Sequence, residues 1–251
     1  MRRTLLVPAA GLGSRLQSNV PKVLTAIAGR PMIDYILERH APYCGHVVVV
    51  LHPSAQEAVR VHLKGSRIPV SLATQTEPTG MLDAILCGQT AVLDSEPDRV
   101  WITWCDQVAI SEKTVEKIAE HDAAAAAAAA VFPITIQRPP YIHFDRDARG
   151  TLASVRQRRE GDVMPEEGES DAGLFSLSVE AFATDLTRYA REANRTGERT
   201  GERNFLPFFP WLARHARVVT FPIDAREAVG ANTPDDVAIL EQYLRHAGTP
   251  E

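Results

Sequence analysis

The chain has 251 residues, 45% of them hydrophobic, with 27 lysines and arginines against 32 aspartates and glutamates and a formal net charge of −5 at pH 7. That size can bury a sizeable core in one large α/β domain or two small ones, and one domain spanning residues 1–251 is expected because no Gly/Ser- or Pro-rich linker divides the apolar segments. The acidic balance gives no electrostatic footprint for nucleic acid, and no apolar run approaches membrane-spanning length. Cys44, Cys87 and Cys105 are odd in number and widely separated, which fits neither a disulfide framework nor a Cys-x-x-Cys metal site and points to a reducing cytoplasm.

The first predicted element is a buried strand over Thr4–Pro8, since the two arginines and short apolar patch at the start are broken too early by proline and glycines to form a leader segment. It opens into a loop that contains Gly11, Gly13, Ser14 and Arg15 and closes on Pro21-Lys22. Such a loop is suited to phosphate: glycines let backbone N–H groups approach the oxygens, and an arginine and a lysine supply positive charge. Pro31 marks a first helical position, and strand-like runs at His46–Leu51, Ile68–Ala73, Val100–Trp104 and Ala128–Ile134 alternate with helix-like segments. This is the rhythm of an α/β protein with a Rossmann-like, mostly parallel sheet covered by helices on both faces. The alanine tract Ala123–Ala130 reads as compositional drift whose end runs into a buried strand.

After Ile134 the pattern changes to extended segments at Pro139–Phe144, Thr151–Val155 and Ala172–Val179, separated by turns such as 145–150. The repeated Thr-Gly-Glu-Arg of Thr196–Arg199 and Thr200–Arg203 is expected to be a duplicated solvated loop, with a mobile basic lid as the functional alternative. Thr233-Pro234-Asp235-Asp236 offers a cap, a proline and two acids ahead of an apolar stripe at Val237, Leu240 and Leu244.

Two glycines alone do not define the ligand. The dinucleotide fingerprint needs a small third residue where Leu16 stands and an acid after the second strand, which here ends in Leu51-His52. The Walker loop needs Gly-Lys-Ser/Thr, which does not follow Gly13. The segment instead resembles the first motif of the nucleotidylyltransferases that activate sugar phosphates, approximately Ala-Ala-Gly-x-Gly-Thr/Ser-Arg-Met/Leu followed by Pro-Lys-x-Leu. Ala9, Ala10, Gly11, Gly13, Ser14, Arg15, Leu16, Pro21, Lys22 and Leu24 all fit it. Three later segments fit in order and spacing, so the resemblance runs from Leu5 to about Leu244 and is greatest to the uridylyltransferase domain that makes UDP-N-acetylglucosamine. It implies the nucleotide-diphospho-sugar transferase fold, with the strands after Ile134 forming the acceptor side.

The implied reaction is attack of a sugar 1-phosphate oxygen on the α-phosphorus of a nucleoside triphosphate, with pyrophosphate leaving. Two polyanions must meet in line, so charge neutralisation and positioning dominate and no protein nucleophile is required. Arg15 and Lys22 are the catalytic candidates, and Ala10, Gly11, Gly13 and Ser14 the phosphate-loop contacts. Asp106 is the best carboxylate for Mg²⁺, because the run from Val100 to Cys105 delivers it to the C-terminal end of a strand, where open α/β sheets bind ligands. It matches the family's metal aspartate, with Cys105 where relatives usually carry a small residue such as glycine. Asn232 matches the second metal ligand of the family; the competing reading is a residue that helps start the following helix.

Gln75 and Gly80 match the pair that reads the nucleobase, while Met81 stands where close relatives have threonine, leaving UTP or CTP as the favoured substrates. On the acceptor side, Asp171-Ala172-Gly173 sits where relatives carry Asn-Thr-Gly, and the usual upstream glutamate is not evident near Val155-Arg156-Gln157. Tyr141 and His143 are placed on the same cleft. The partners expected are therefore an NTP and a phosphorylated small-molecule acceptor, with no nucleic acid or membrane, and apolar helices compatible with a homodimer. The acyltransferase half of bifunctional relatives is expected to be absent, since the chain ends soon after the helix following Asn232.

Three other readings compete. A CTP-dependent cytidylyltransferase acting on a polyol, amino-alcohol or phosphonate acceptor is the alternative within the class, and a non-catalytic nucleotide-binding regulatory subunit is the alternative outside it. A glycosyltransferase would need Asp-x-Asp at the metal, and the only such sequence, Asp145-Arg146-Asp147, lies in a predicted turn.

Overall fold

The fold comes from a computed structural model that describes residues 1–11, 16, 20–194 and 196–247; the sequence candidates Gly13, Ser14 and Arg15 lie outside the described residues. The first half runs β1 (Arg3–Pro8), β2 (Ala26–Ile27), β3 (Arg30–Pro31), α1 (Met32–His40), β4 (His46–Leu51), α2 (Gln56–Leu63), β5 (Val70–Thr74), α3 (Met81–Cys87), α4 (Gln89–Leu93), β6 (Arg99–Thr103) and α5 (Glu112–Ala124). The second runs β7 (Ala130–Gln137), β8 (Ile142–Arg146), β9 (Leu152–Gln157), β10 (Gly168–Asp171), β11 (Leu174–Ser178), α6 (Leu186–Glu192), α7 (Phe208–Leu212), β12 (Val218–Pro222) and α8 (Pro234–Ala247).

Eight strands form one sheet in the order β10-β7-β11-β6-β1-β4-β5, with β12 also on β7. The β6-β1-β4-β5 block is parallel, β12 is parallel to β7, and β11 runs antiparallel between β6 and β7. This is the mostly parallel α/β architecture that the apolar runs predict. Alternation along each strand splits the core in two: Leu5, Val7, Val47 and Val49 face one helical layer with Ile33, Ile36 and Val115, whereas Leu6, Val48 and Val50 face the other with Leu82, Phe208 and Phe209. Because both faces are covered, the strands carry no polar alternation. Fully burying one such side chain contributes about 1.5–3 kcal/mol.

The differences from the sequence expectations are local. The third parallel strand starts at Val70 and not at Ile68, consistent with Pro69 having no amide hydrogen for the ladder. The segment before Ala172 holds a strand, β10, that its composition of Gly168, Glu169, Ser170 and Asp171 conceals. β10 pairs with β7 (Asp171 opposite Ile134), and β11 then pairs with β6 (Leu174 opposite Thr103), so the chain changes neighbours at Ala172-Gly173. Gly173 has φ +69°, and a Cβ there would collide with the Trp104 indole.

Candidate active site

Three loops leave the same edge of the parallel block, after β1, β5 and β6. The Ala9 N–H donates to Val50 O at 2.8 Å and the Gln75 N–H to Leu51 O at 3.0 Å, which pins the first two loops against the end of β4. Ala10 is buried at the entry of the first loop, whereas Gly11 is exposed and a Cβ on it would meet nothing within 4 Å among the described residues. Lys22 starts a short 3-10 turn anchored by buried Val23, with Leu24 N–H donating to Pro21 O at 2.8 Å.

From that turn Lys22 Nζ donates to Asp106 Oδ2 and, at 3.1 Å, to Asn232 Oδ1. Sequence candidates from the start, middle and end of the chain thus meet, two of them on the ammonium group of the third, with the Lys22 and Asp106 side chains 13% and 10% exposed. The Ala231 N–H donates to Asp106 O at 3.2 Å and fixes the Asn232 segment beside the β6 loop. Gly230 permits this approach: a Cβ there would sit 3.2 Å from Gln107 Nε2 and 3.4 Å from Asp106 Cγ. A small apolar cluster of Ile27, Met32, Val108, Ala109, Ala231 and Leu240 holds α8 against the same loop.

The start of α8 is capped by the residues around Asn232, whose own N–H takes part. Thr233 Oγ1 accepts from the Asp236 N–H at 3.3 Å, and Asp236 Oδ2 accepts from the Thr233 N–H at 2.8 Å and the Asn232 N–H at 3.1 Å. This reciprocal cap serves α8 and leaves the Asn232 side-chain oxygen on Lys22.

Gln75 and Gly80 are also joined, Gln75 Nε2 donating to Gly80 O at 3.2 Å from a side chain that is almost wholly buried. Gly80 has φ +127°, and a Cβ on it would collide with the Arg203 backbone nitrogen and oxygen. Arg203 clasps the loop on both sides of that glycine: its N–H donates to Thr79 O at 2.8 Å and its carbonyl accepts from the Leu82 N–H at 3.0 Å. Gly80→Ala is therefore expected to cost about 1–3 kcal/mol in backbone strain alone and to raise the nucleotide KM, as read by thermal melting and steady-state kinetics; unchanged values of both would contradict the clasp.

In the segment expected to take the acceptor, Asp171 Oδ2 accepts from the Gly173 N–H at 2.9 Å, and Gly173 O accepts from the Trp104 N–H at 2.9 Å. Burial pushes the Asp171 carboxyl up to about 6, with nearby Asp106 adding to the effect and the Gly173 N–H and Trp104 indole opposing it. Tyr141 and His143 are not joined to this segment by any hydrogen bond among the described residues. Tyr141 is half exposed, and His143 Nε2 lies 3.2 Å from Asp145 Oδ1 while its ring packs on Gly168. Asp145 also accepts from Ser154 at 2.7 Å and Arg156 Nε at 2.9 Å, so this carboxylate of Asp145-Arg146-Asp147 is already committed.

Two residues in this region escaped the sequence reading. Gln107 is buried, and its Oε1 has no hydrogen-bond partner among the described residues, beside Asp106 and against Gly173. Arg203, expected in a solvated repeat, is instead locked to the Gly80 loop. Cys105 is buried, which pushes its thiol up to about 12, as a packing cysteine requires.

The profile of the MobA-like NTP transferase domain matches residues 5–170. The chain is 28% identical over 245 residues to the bifunctional protein GlmU of Anaeromyxobacter dehalogenans, covering 95% of this chain and 49% of that one. It is 27% identical over 250 residues to GlmU of Zymomonas mobilis, covering 96% and 53%. The chain thus spans about half the length of these relatives. A solved structure assigned as a glucose-1-phosphate thymidylyltransferase from Bacillus anthracis, in complex with sucrose, superposes with a TM-score of 0.74 at 13% identity over 100% of this chain and 98% of the other, which shows a shared fold. On the profile match, the chain belongs to the MobA-like NTP transferase domain family and is a nucleotidyltransferase.

Proposed function

We propose that the protein transfers a nucleotidyl group from an NTP to a sugar 1-phosphate or a chemically related phosphorylated acceptor. An acceptor phosphate oxygen bonds to the α-phosphorus as the bond from that phosphorus to the bridging oxygen breaks, and pyrophosphate leaves with the electron pair. The observation that carries this reading is the convergence of Lys22, Asp106 and Asn232 at the carboxyl end of the parallel strands. Uncommitted phosphate oxygens supply the nucleophile, so the protein need only gather and neutralise charge.

The donor set fits Mg²⁺. Asp106 and Asn232 direct one anionic and one neutral oxygen at a single cationic group, and Mg²⁺ is commonly held by one or two such side chains while keeping waters and substrate phosphates as its other ligands. Bound there by Asp106 and Asn232, the ion would neutralise phosphate charge and act as a Lewis acid. Lys22 serves the α-phosphoryl group, where an ammonium stabilises charge that builds as the bonds exchange; Arg15 is its proposed partner on the triphosphate. Gln75 and Gly80 present a buried amide and a carbonyl joined in one unit, a donor and acceptor pair suited to a pyrimidine edge, so UTP or CTP is the proposed donor. Asp171 and Gly173 receive the acceptor, and the same contacts would serve a polyol, amino-alcohol or phosphonate in the cytidylyltransferase version of the reaction.

No helix among the described residues is long and apolar enough to cross a membrane, and the free cysteines suit the proposed cytoplasmic setting. The test is pyrophosphate release across UTP, CTP, GTP, ATP and dTTP against a panel of phosphorylated acceptors. Release that requires one donor and one acceptor together is the expected result, and release independent of acceptor would oppose the transfer reaction.

A further inference from the structure

The Thr196–Arg203 repeat lies between the two halves of the site and is tied to both. The loop closes on itself through the Thr196–Arg203 bridge and the Gly197 N–H donating to Glu202 O at 2.8 Å. One side holds the nucleotide loop, through the backbone clasp around Gly80 and the ion pair of Arg203 with Asp83 at 2.5 Å. The other side is held by the acceptor hairpin formed by β8 and β9, whose end carries Glu160. Glu160 Oε1 accepts from Thr200 Oγ1 at 2.6 Å and Asn204 Nδ2 at 2.9 Å, and Oε2 accepts from the Arg199 and Thr200 N–H groups at 3.2 and 3.3 Å. Arg159 and Glu202 add a two-pronged ion pair at 2.8 and 2.5 Å.

We propose that Glu160 and Arg203 are positioning residues for nucleotide recognition: the 196–203 loop is a strap through which the acceptor hairpin sets the Gly80 loop that reads the base. The physical basis is a connected path: hydrogen bonds join Glu160 to Thr200 and Asn204, the chain itself joins Asn204 to Arg203, backbone hydrogen bonds join Arg203 to Thr79 and Leu82 on either side of Gly80, and Gly80 O accepts from Gln75. Arg203 holds the Gly80 loop with its backbone N–H and carbonyl and is itself anchored by its guanidinium, which donates to Asp83, Asn194 Oδ1 and Ala190 O, so Arg203→Ala loosens the clasp by removing that anchor. Glu160 fixes the other end of the strap with one carboxylate that satisfies four donors, and Gly197 allows the carboxylate to lie against the strap without a Cβ in the way.

The inference rests on the reading that Gln75 and Gly80 face the nucleobase, and the experiment separates the two. Equilibrium binding of Mg²⁺ with UTP and with CTP, together with steady-state kinetics for both substrates, is measured on wild type, Glu160→Ala, Glu160→Gln, Arg203→Ala and the double variant Glu160→Ala/Arg203→Ala. Glu160→Ala is expected to raise the nucleotide KM about tenfold and leave the acceptor KM within about twofold, although Glu160 belongs to the acceptor hairpin. Glu160→Gln, which keeps an oxygen acceptor, is expected to recover part of that loss. The double variant is expected to be no worse than the more damaged single variant, because both break one series. A folded Glu160→Ala with an unchanged nucleotide KM, a change confined to the acceptor KM, or additive losses would overturn the strap. Should Glu160→Ala not fold, the same criteria apply to Glu160→Gln against Arg203→Ala. A wild type that binds neither nucleotide would instead overturn the reading of the base site.

Discussion

Asp106→Asn is expected to lower kcat by roughly two to three orders of magnitude while leaving the protein folded. The variant keeps an oxygen that accepts from Lys22, so no buried lysine is abandoned, and the backbone contact from Ala231 to Asp106 O is untouched. What is lost is the negative charge proposed to hold a cation against two polyanionic substrates. Removing one preorganised electrostatic contact to a transition state costs about 2.7–4 kcal/mol, which sets the size of the effect. Comparison of kcat and of the thermal midpoint for the two proteins checks it. A folded variant with near-normal turnover would remove Asp106 from the catalytic centre.

Asp171→Asn is expected to stabilise the protein near neutral pH and not in acid. Burial raises the folded carboxyl from 3.8 to about 6, so the native state binds more protons than the unfolded chain between those values. Stability therefore falls as pH rises through that window, and the full penalty, on the order of 3 kcal/mol, is present above it. Asparagine does not ionise, yet its oxygen still accepts from the Gly173 N–H. Melting curves at pH 4 and pH 7.5 are expected to show little gain at the lower pH and a gain of several degrees at the higher. Equal midpoints at pH 7.5 would mean that Asp171 is not held in a poorly solvated site.

How far the chain could be read from its sequence follows from which atoms make each contact. The parallel block was legible because β1, β4 and β6 are buried on both faces and so appear as unbroken apolar runs. β10 was not, because its Glu169, Ser170 and Asp171 pair through the backbone at a place where the chain changes neighbours. The convergence of Lys22 with Asp106 and Asn232 spans 84 and 210 positions, and no spacing rule predicts it. It became legible only because each residue sits in a motif whose resemblance gives it a role. Arg203 shows the opposite case. Its decisive contacts with Thr79 and Leu82 use main-chain atoms, which any residue possesses, so its side chain carried no signal and the repeat read as solvent-exposed. Glu160 was hidden for a related reason, since a glutamate after two arginines looks like a surface charge run until the strap fills its oxygens.

The geometry also orders the roles around the sheet edge. Lys22 and the Asp106-Asn232 pair occupy the middle, the Gln75-Gly80 unit lies toward β5, and Asp171-Gly173 lies toward β7. On the proposed roles, a donor nucleotide and an acceptor phosphate entering from those two sides would meet at Lys22, Asp106 and Asn232. That arrangement follows from strand order, because β6 and β1 separate β10 and β11, which flank Asp171-Gly173, from β4 and β5.

The central claim is that Asp106 and Asn232 together hold the cation that neutralises the reacting phosphates. The most direct measurement is the Mg²⁺ dependence of acceptor-dependent pyrophosphate release by wild type and Asn232→Ala, each also assayed with EDTA. The account expects release to stop in EDTA and Asn232→Ala to need roughly ten- to a hundredfold higher Mg²⁺ concentration for half-maximal rate, the equivalent of about 1.5–3 kcal/mol of lost interaction. Release that persists in EDTA, or an Asn232→Ala curve superimposable on that of wild type, would contradict it.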